Sequence, residues 1–317
     1  MGEILLPRVI APAFPALIAS AGERAGLRFL EFFAACIRNP HTRRAYARAA
    51  ADFLAWCEAE AGVGSLASVQ PLHVATWIER QTRERSAPTT KLRLAALRHL
   101  FDWLVTGQVI PTNPAASVRG PRHSALKGKT PVLNAAEARA LLDSIDVATP
   151  GGLRDRALIA LMVFSFARIG AALGMRVEDV YTQGRRLCVR LREKGGKRHE
   201  MPCHHRLEGY LHANIDGTGI GDDLKGPLFR TIGRGTKRLT HAPLPQANAY
   251  AMIQRRAAAS GLGNQTFRMT GITAYLKNGG TLEIAAAMGN HASTRRTQLY
   301  DRRRDEISLD EVERIRV

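Results

Sequence analysis

The sequence predicts a mainly α-helical protein of two domains, the second carrying a small β-hairpin, and three observations support that expectation. The chain has 317 residues, more than one compact core of ordinary size holds and enough for two domains that each bury a core without staples. Apolar residues recur at helical spacing over residues 41 to 61 and 88 to 105, with basic side chains on other faces. Two strand-like runs, Leu187 to Glu193 and Arg198 to Pro202, bracket Lys194-Gly195-Gly196-Lys197, where the glycine pair suits a tight hairpin turn.

Composition bounds the partners. Lys and Arg number 46 against 28 Asp and Glu, a formal net charge of +18, well beyond what solubility requires, so a polyanion is the natural partner. Anionic membrane and nucleic acid both answer to that charge. The cations are spread along the whole chain rather than gathered beside one amphipathic segment, which favours nucleic acid. The longest apolar run, Ala157 to Phe164 continuing past Ser165 to Ala167, has the length of a buried core helix and falls short of a membrane span. The N-terminus contains Glu3 and is broken by Pro7, Pro12 and Pro15, which argues against a signal peptide. Cys36, Cys57, Cys188 and Cys203 lie far apart without a CxxC pair, so neither a zinc knuckle nor a disulfide framework is indicated, and a reducing cytoplasm fits. Cys203-His204-His205 with His212 matches no closed zinc pattern. No metal and no cofactor is expected.

Taken in order, residues 1–24 read as an N-terminal arm. Tyr46, Phe53, Leu54 and Cys57 then recur on one face of a helix that Pro40 bars from starting before His41 and Gly62 stops. Arg44 and Arg48 sit one turn apart on another face. Val69 to Arg83 is a shorter helical candidate. A stronger helix runs from Pro88 to Val105 with Leu94, Leu97, Phe101 and Leu104 as its stripe and Lys91 and Arg98 elsewhere, until Gly107 ends it. Residues 25–118 therefore read as a small helical bundle with basic rims. Arg43, Arg44, Arg48, Lys91 and Arg98 are its candidate phosphate contacts, the plain alternative being that they only solvate a helix face.

Residues 119–131 are rich in Pro, Gly and cations and poor in large apolar groups, which marks a linker bearing Arg122, Lys127 and Lys129 as further phosphate candidates. Gly128-Lys129-Thr130 resembles the end of a phosphate-binding loop. The glycine needed five residues earlier is His123, however, and Pro131 follows at once, so a nucleotide site is rejected. The second domain, 132–317, opens with Asn134 and Glu137 in a helix-capping pattern. A long apolar helix from Arg154 to Phe166 leads into Arg168, and the hairpin then places Lys194 and Lys197 at its tip. Helices return over residues 247–260, 266–278 and 281–288, with Gly279-Gly280 as a break. A last helix, 308–317, is specified by a capping box between Ser308 and Glu311 and a staple between Ile307 and Val312.

Arg168, Lys194, Arg268, His291 and Tyr300, from separate segments, make chemical sense around one phosphodiester. As a nucleophile attacks phosphorus, the non-bridging oxygens gain negative charge, and two guanidinium groups match them with paired hydrogen bonds that deprotonation cannot remove. A tyrosine hydroxyl, with an intrinsic pKa near 10, needs a cationic site to form the attacking oxyanion. The departing 5′ oxygen needs a proton, which a lysine on a hairpin can give; Lys194 is the candidate, with Lys197 behind it.

These residues resemble those of the tyrosine recombinases and phage-type integrases. Ala167 to Val180 is similar to the family's first arginine motif, and Thr266-Phe267-Arg268, Gly289-Asn290-His291 and Tyr300 are similar to its later ones. The spacings of 23 residues from Arg268 to His291 and nine from His291 to Tyr300 also follow the family pattern. Lys194 matches the family's hairpin lysine. Thr42, Tyr46, Phe53 and the Leu97 to Leu104 stripe resemble the helical core-binding domain, and Thr270 to Gly280 resembles integrases of bacterial plasmids and transposons. The resemblance implies a core-binding domain followed by an α+β catalytic domain, closing as a clamp on double-stranded DNA. It implies a 3′-phosphotyrosyl intermediate at Tyr300, rejoining without ATP or metal, and a homo-oligomer on DNA with two protomers per site and four in the synapse. Accessory DNA-bending proteins are left open. Under the resemblance the final helix, with Leu309, Val312 and Ile315, docks on a neighbouring protomer, the alternative being its own domain. A cytoplasmic, nucleoid-associated location is expected.

Two positions depart from the pattern. Gln265 stands where the family has histidine three residues before its second arginine, and glutamine cannot usefully take up a proton. Ala171 stands where many relatives place an acid just after the first arginine, so another residue must orient Arg168 if any does. A slowed recombinase, a DNA-binding protein without catalysis, and a DNA-relaxing enzyme of the same chemistry all remain compatible with these substitutions.

Overall fold

The computed structural model describes residues 14–123, 130–193, 196–256, 262–291 and 293–301. The chain divides into two compact units, Met1–Ser124 and Ala125–Val317.

The first unit is helical, as the apolar periodicity requires: α1 (Ala16–Ser20), α2 (Glu23–Glu31), α3 (Pro40–Ala59), α4 (Pro71–Glu84) and α5 (Ala87–Thr106). Asn39 starts α3 by accepting the free N–H groups of His41 and Thr42 at 2.9 and 3.3 Å. That cap lets Pro40 serve as the first helical residue, where a missing N–H costs nothing. Phe53 of α3 meets the rings of Trp77 and Phe101 edge-on at 5.3 and 6.0 Å, and Leu54, Cys57, Leu97, Leu100 and Leu104 are fully buried around it. Each such side chain contributes roughly 1.5–3 kcal/mol on burial, which makes the α3–α5 seam the centre of the unit. The expected N-terminal arm needs correction. Leu17 and Ile18 are buried in this same core, and the Leu17 N–H donates to the Glu58 carboxylate at 2.7 Å. Apolar residues on a short helix must be covered, so the described part of the segment joins the bundle.

The second unit contains α6 (Ala135–Asp143), α7 (Pro150–Phe164), α8 (Ile169–Leu173), β1 (Val180–Gln183), β2 (Arg186–Arg192), β3 (Arg198–Pro202) and α9 (His205–Thr218). It continues with β4 (Arg230–Ile232), β5 (Leu239–Pro243), α10 (Gln246–Arg256), α11 (Asn264–Lys277), α12 (Leu282–Met288) and α13 (Thr294–Gln298). The cap read at Asn134 is a full capping box, with Glu137 N–H on the Asn134 side chain at 2.9 Å and Asn134 N–H on the Glu137 carboxylate at 2.7 Å. The axle is α7: Ala157 to Met162 is buried on every face, with α9 and α11 packed on it. It stops at Phe164, two residues before the sequence reading, because Phe166 takes a left-handed backbone with φ 54°.

The expected hairpin exists, and β1 completes a three-stranded antiparallel sheet of order β1-β2-β3. Sequence reasoning missed β1, the β4–β5 pair and α9. The first has four residues and no alternation of its own, so its strand form depends on pairing with β2. Glycines 209 and 217 weaken the helical pattern of α9, and its burial of Leu207 and Leu211 supplies what propensity does not. Residues 257–260, the end of the helix expected over 247–260, and the final helix 308–317 lie outside the described residues. Among the described residues no helix is long and apolar enough to cross a membrane, and no three His, Cys, Asp or Glu side chains are grouped to hold a metal ion. All four cysteines are free.

Candidate active site

Helix α7 and the turn after it bring Arg168 to the start of α8, where its own carbonyl accepts from the N–H groups of Ala171 and Ala172 at 2.9 and 3.0 Å. Its guanidinium is partly open to solvent, with 28% of the side chain exposed. Nη1 donates to the carboxylate of Glu193, which is itself buried at the root of the β2–β3 hairpin.

Arg268 projects from the middle of α11 and is almost fully buried. Nη1 donates to the Phe166 carbonyl and Nη2 to the Gly289 carbonyl, while His291 Nε2 lies 2.8 Å from Nη2. A left-handed residue stands at one of these carbonyls and just after the other. Phe166 is left-handed, and Gly289 precedes Asn290, which is left-handed with φ 46°. Such conformations cost of order 1–3 kcal/mol for a bulky residue and persist where the surroundings hold them. Here they turn two carbonyl oxygens onto one guanidinium. Burial, reinforced by the neighbouring Arg168, lowers the Arg268 pKa to about 10, against the favourable fields of Glu193 and Tyr300. At neutral pH the group therefore stays charged.

On its other ring nitrogen, His291 lies 2.9 Å from the hydroxyl of Thr297, a buried residue of α13. Tyr300 follows that helix by two residues. Its N–H donates to the Thr297 carbonyl at 2.9 Å, and its own carbonyl accepts from the Thr273 hydroxyl of α11, also at 2.9 Å. The Tyr300 ring packs with Phe166, Ile272 and Leu276, its centroid 5.9 Å from that of His291. Arg168, Arg268, His291 and Tyr300 are thus brought together. Lys194 lies outside the described residues. The hairpin beside it is closed by Glu193 N–H on the Lys197 carbonyl at 2.8 Å, with Gly196 at φ 77°, and Lys197 is exposed. Gln265 is exposed one turn before Arg268, in a shallow groove with Thr130, Ile169 and Tyr250.

The basic candidates separate into two sets. Arg44, Arg48, Lys91 and Arg122 are exposed, whereas Lys127 and Lys129 lie outside the described residues. Arg43 spends Nε and Nη2 on the Ile37 carbonyl at 3.1 and 2.8 Å. Arg98 donates to the carbonyls of Ala115, at 3.2 Å, and Val118. Both side chains thus hold loop carbonyls to a helix. Sequence reasoning missed Glu193 and Thr297. Asn290 carried a readable signal, since asparagine after glycine tolerates the left-handed region.

The cluster has the parts for phosphoryl transfer to a tyrosine: two guanidinium groups for the non-bridging oxygens, an imidazole, and a phenol beside them. Residues 131–306 match the Phage integrase family, and residues 28–108 match the Phage integrase, N-terminal SAM-like domain. The chain belongs to the phage integrase family. It is 27% identical over 275 residues to the tyrosine recombinase XerC of Pelobacter propionicus, covering 86% of each chain. With the tyrosine recombinase XerD of Corynebacterium glutamicum it shares 26% over 283 residues, covering 83% of this chain and 87% of that one. Among solved structures, a lambda integrase (75-356) dimer bound to a COC′ core site shares the fold with TM-score 0.67 at 18% identity, covering 89% of this chain and 97% of that one. A XerH site-specific recombinase bound to palindromic difH substrate gives TM-score 0.66 at 18% identity, covering 92% and 87%.

Proposed function

We propose that this protein is a site-specific DNA recombinase that breaks and rejoins double-stranded DNA through Tyr300. The deprotonated phenol oxygen attacks a backbone phosphorus, a P–O bond to tyrosine forms, the bond to the 5′ oxygen breaks, and that oxygen takes a proton from Lys194. Arg168 and Arg268 hold the non-bridging oxygens as their charge grows. The DNA remains joined by its 3′ phosphate to Tyr300, and a 5′ hydroxyl from a second strand reverses the step without ATP. The observation that carries this reading is the single hydrogen-bonded unit of Arg268, His291, Thr297 and Tyr300 beside the open guanidinium of Arg168. A net charge of +18 supports a polyanionic substrate, as do relatives named tyrosine recombinases and neighbours solved on DNA.

The finer expectations belong to the same proposal. Two protomers occupy a site and four form the synapse, the two domains clamp the duplex, and the final helix docks on a neighbouring protomer. The protein works at the nucleoid in the integration, excision or resolution of a plasmid- or transposon-borne element. Incubation of the full chain with a randomised library of nicked duplexes, followed by denaturation, should yield a covalent protein–DNA adduct that Tyr300→Phe does not form. Binding without adduct from the parent chain would mean a DNA-binding protein and end the catalytic reading.

A further inference from the structure

One buried acid has no part in the chemistry above. Glu193 is the last residue before the hairpin turn, nearly excluded from solvent, and its carboxylate faces both guanidinium groups: Oε2 accepts from Arg168 Nη1, and Oε1 lies 4.0 Å from Arg268 Nη1. Two neighbouring cations repel, and Arg268 is already destabilised by burial and by Arg168. Without a counter-charge, Arg168, the more exposed of the two, would swing toward solvent until a phosphate arrived. Helix α8 supplies no such charge, since Ile169 to Leu173 contains no acid. The hairpin backbone fixes the Glu193 end, with its N–H on the Lys197 carbonyl and its carbonyl accepting from Gly196 at 3.1 Å. A carboxylate buried beside two arginines is costly unless paired, and pairing here holds the clamp assembled before substrate binds.

We infer that Glu193 is a positioning residue of the phosphate clamp: it holds Arg168 against Arg268 in the geometry needed for transfer, from the hairpin rather than from the helix that follows Arg168. The inference rests on the recombinase reading. It predicts a defect in the chemical step and little change in DNA affinity, because affinity is spread over many phosphate contacts whereas transfer depends on one.

The test uses the full chain and a nicked duplex recovered by covalent trapping from the randomised library. Glu193→Gln should form the adduct at least 30-fold more slowly at saturating DNA, with a dissociation constant within threefold of the parent. Glu193→Asp, which keeps the charge on a shorter arm, should recover part of that rate. Parent rates in both variants overturn the inference. So does a loss of affinity and thermal stability that fully accounts for the lost rate, which is what a merely structural acid would give. Should Glu193→Gln fail to fold, Glu193→Asp decides alone: a slowed rate at unchanged affinity supports the role, and a parent rate removes it. Absence of adduct from the parent chain sinks the recombinase reading and this inference with it. A parent adduct with unaffected variants sinks the inference alone.

Discussion

His291 Nε2 lies 2.8 Å from Arg268 Nη2, and because arginine has no acceptor the imidazole must receive that hydrogen bond. The ring proton then sits on Nδ1 and points at the Thr297 hydroxyl 2.9 Å away. Thr297→Val keeps the shape but removes the hydroxyl that Nδ1 faces, a hydrogen bond worth roughly 0.5–1.5 kcal/mol in fixing the ring. The expected outcome is adduct formation slowed about tenfold, with Thr297→Ser close to the parent. Single-turnover cleavage of the three proteins checks it, and a valine variant as fast as the parent would remove Thr297 from the site.

Gln265 occupies an exposed position on the turn of α11 before Arg268. If this position takes the phenol proton in relatives, Gln265→His should raise the cleavage rate by roughly tenfold or more, since a placed general base contributes about 10²–10⁴. Equal rates on the same nicked duplex would show that Gln265 imposes no handicap.

The exposed cations and the loop-closing ones should behave differently. Arg44→Ala, Arg48→Ala and Lys91→Ala should weaken DNA binding and each reduce the slope of log affinity against log salt by about 0.9. Arg43→Ala and Arg98→Ala, which release the carbonyls of Ile37, Ala115 and Val118, should chiefly lower the melting temperature. Salt titrations paired with thermal melts separate the two sets, and a reversed pattern would reassign them.

Gly271 lets α11 touch α7: a Cβ there would lie 1.9 Å from the Val163 carbonyl oxygen and 2.8 Å from the Phe166 ring. Gly271→Ala must push the helices apart, at a cost of about 1–3 kcal/mol or more. It should also disturb the Phe166 carbonyl that holds Arg268. Denaturant unfolding should show the loss. A midpoint equal to the parent's would contradict the close packing.

Burial, with Glu58 nearby, pushes the Cys57 thiol up to about 12, and burial, with Cys188 and Glu208, does the same for Cys203. Thiolate is the reactive form, so iodoacetamide at pH 8 should alkylate the exposed Cys36 first and reach Cys57 and Cys203 only on unfolding. Peptide mapping reads this directly. Because the folded values lie above the ordinary 9.0, the stability they confer is complete below pH 9 and is lost as pH rises toward about 12. Melting temperatures that stay flat over that interval would contradict the assignment.

Much of this was written in local pattern. The stripe of Leu94, Leu97, Phe101 and Leu104 gave α5 because helical spacing alone collects those side chains on one face. Asn134 and Glu137 gave the start of α6 because a capping box lies within four residues. The arginines, His291 and Tyr300 could be picked out because the chemistry of a phosphate demands those types, and the fold brings them close to one another. Some short elements were not legible: β1 exists only because β2 lies beside it, and α1 belongs to the bundle only because its two apolar residues found the core.

By itself, then, the sequence determined the helical character, the two-domain division, the preference for a polyanionic partner and the side-chain types suited to handle a phosphate. Tertiary structure decided which atoms meet. Glu193 faces both arginines across 25 residues of chain from Arg168, and Phe166 and Gly289 lend carbonyls to Arg268 from opposite sides in sequence. The physical reason is that periodicity and capping act within a few residues, whereas a buried charge is satisfied by whatever polar group the packed backbone brings within hydrogen-bond reach.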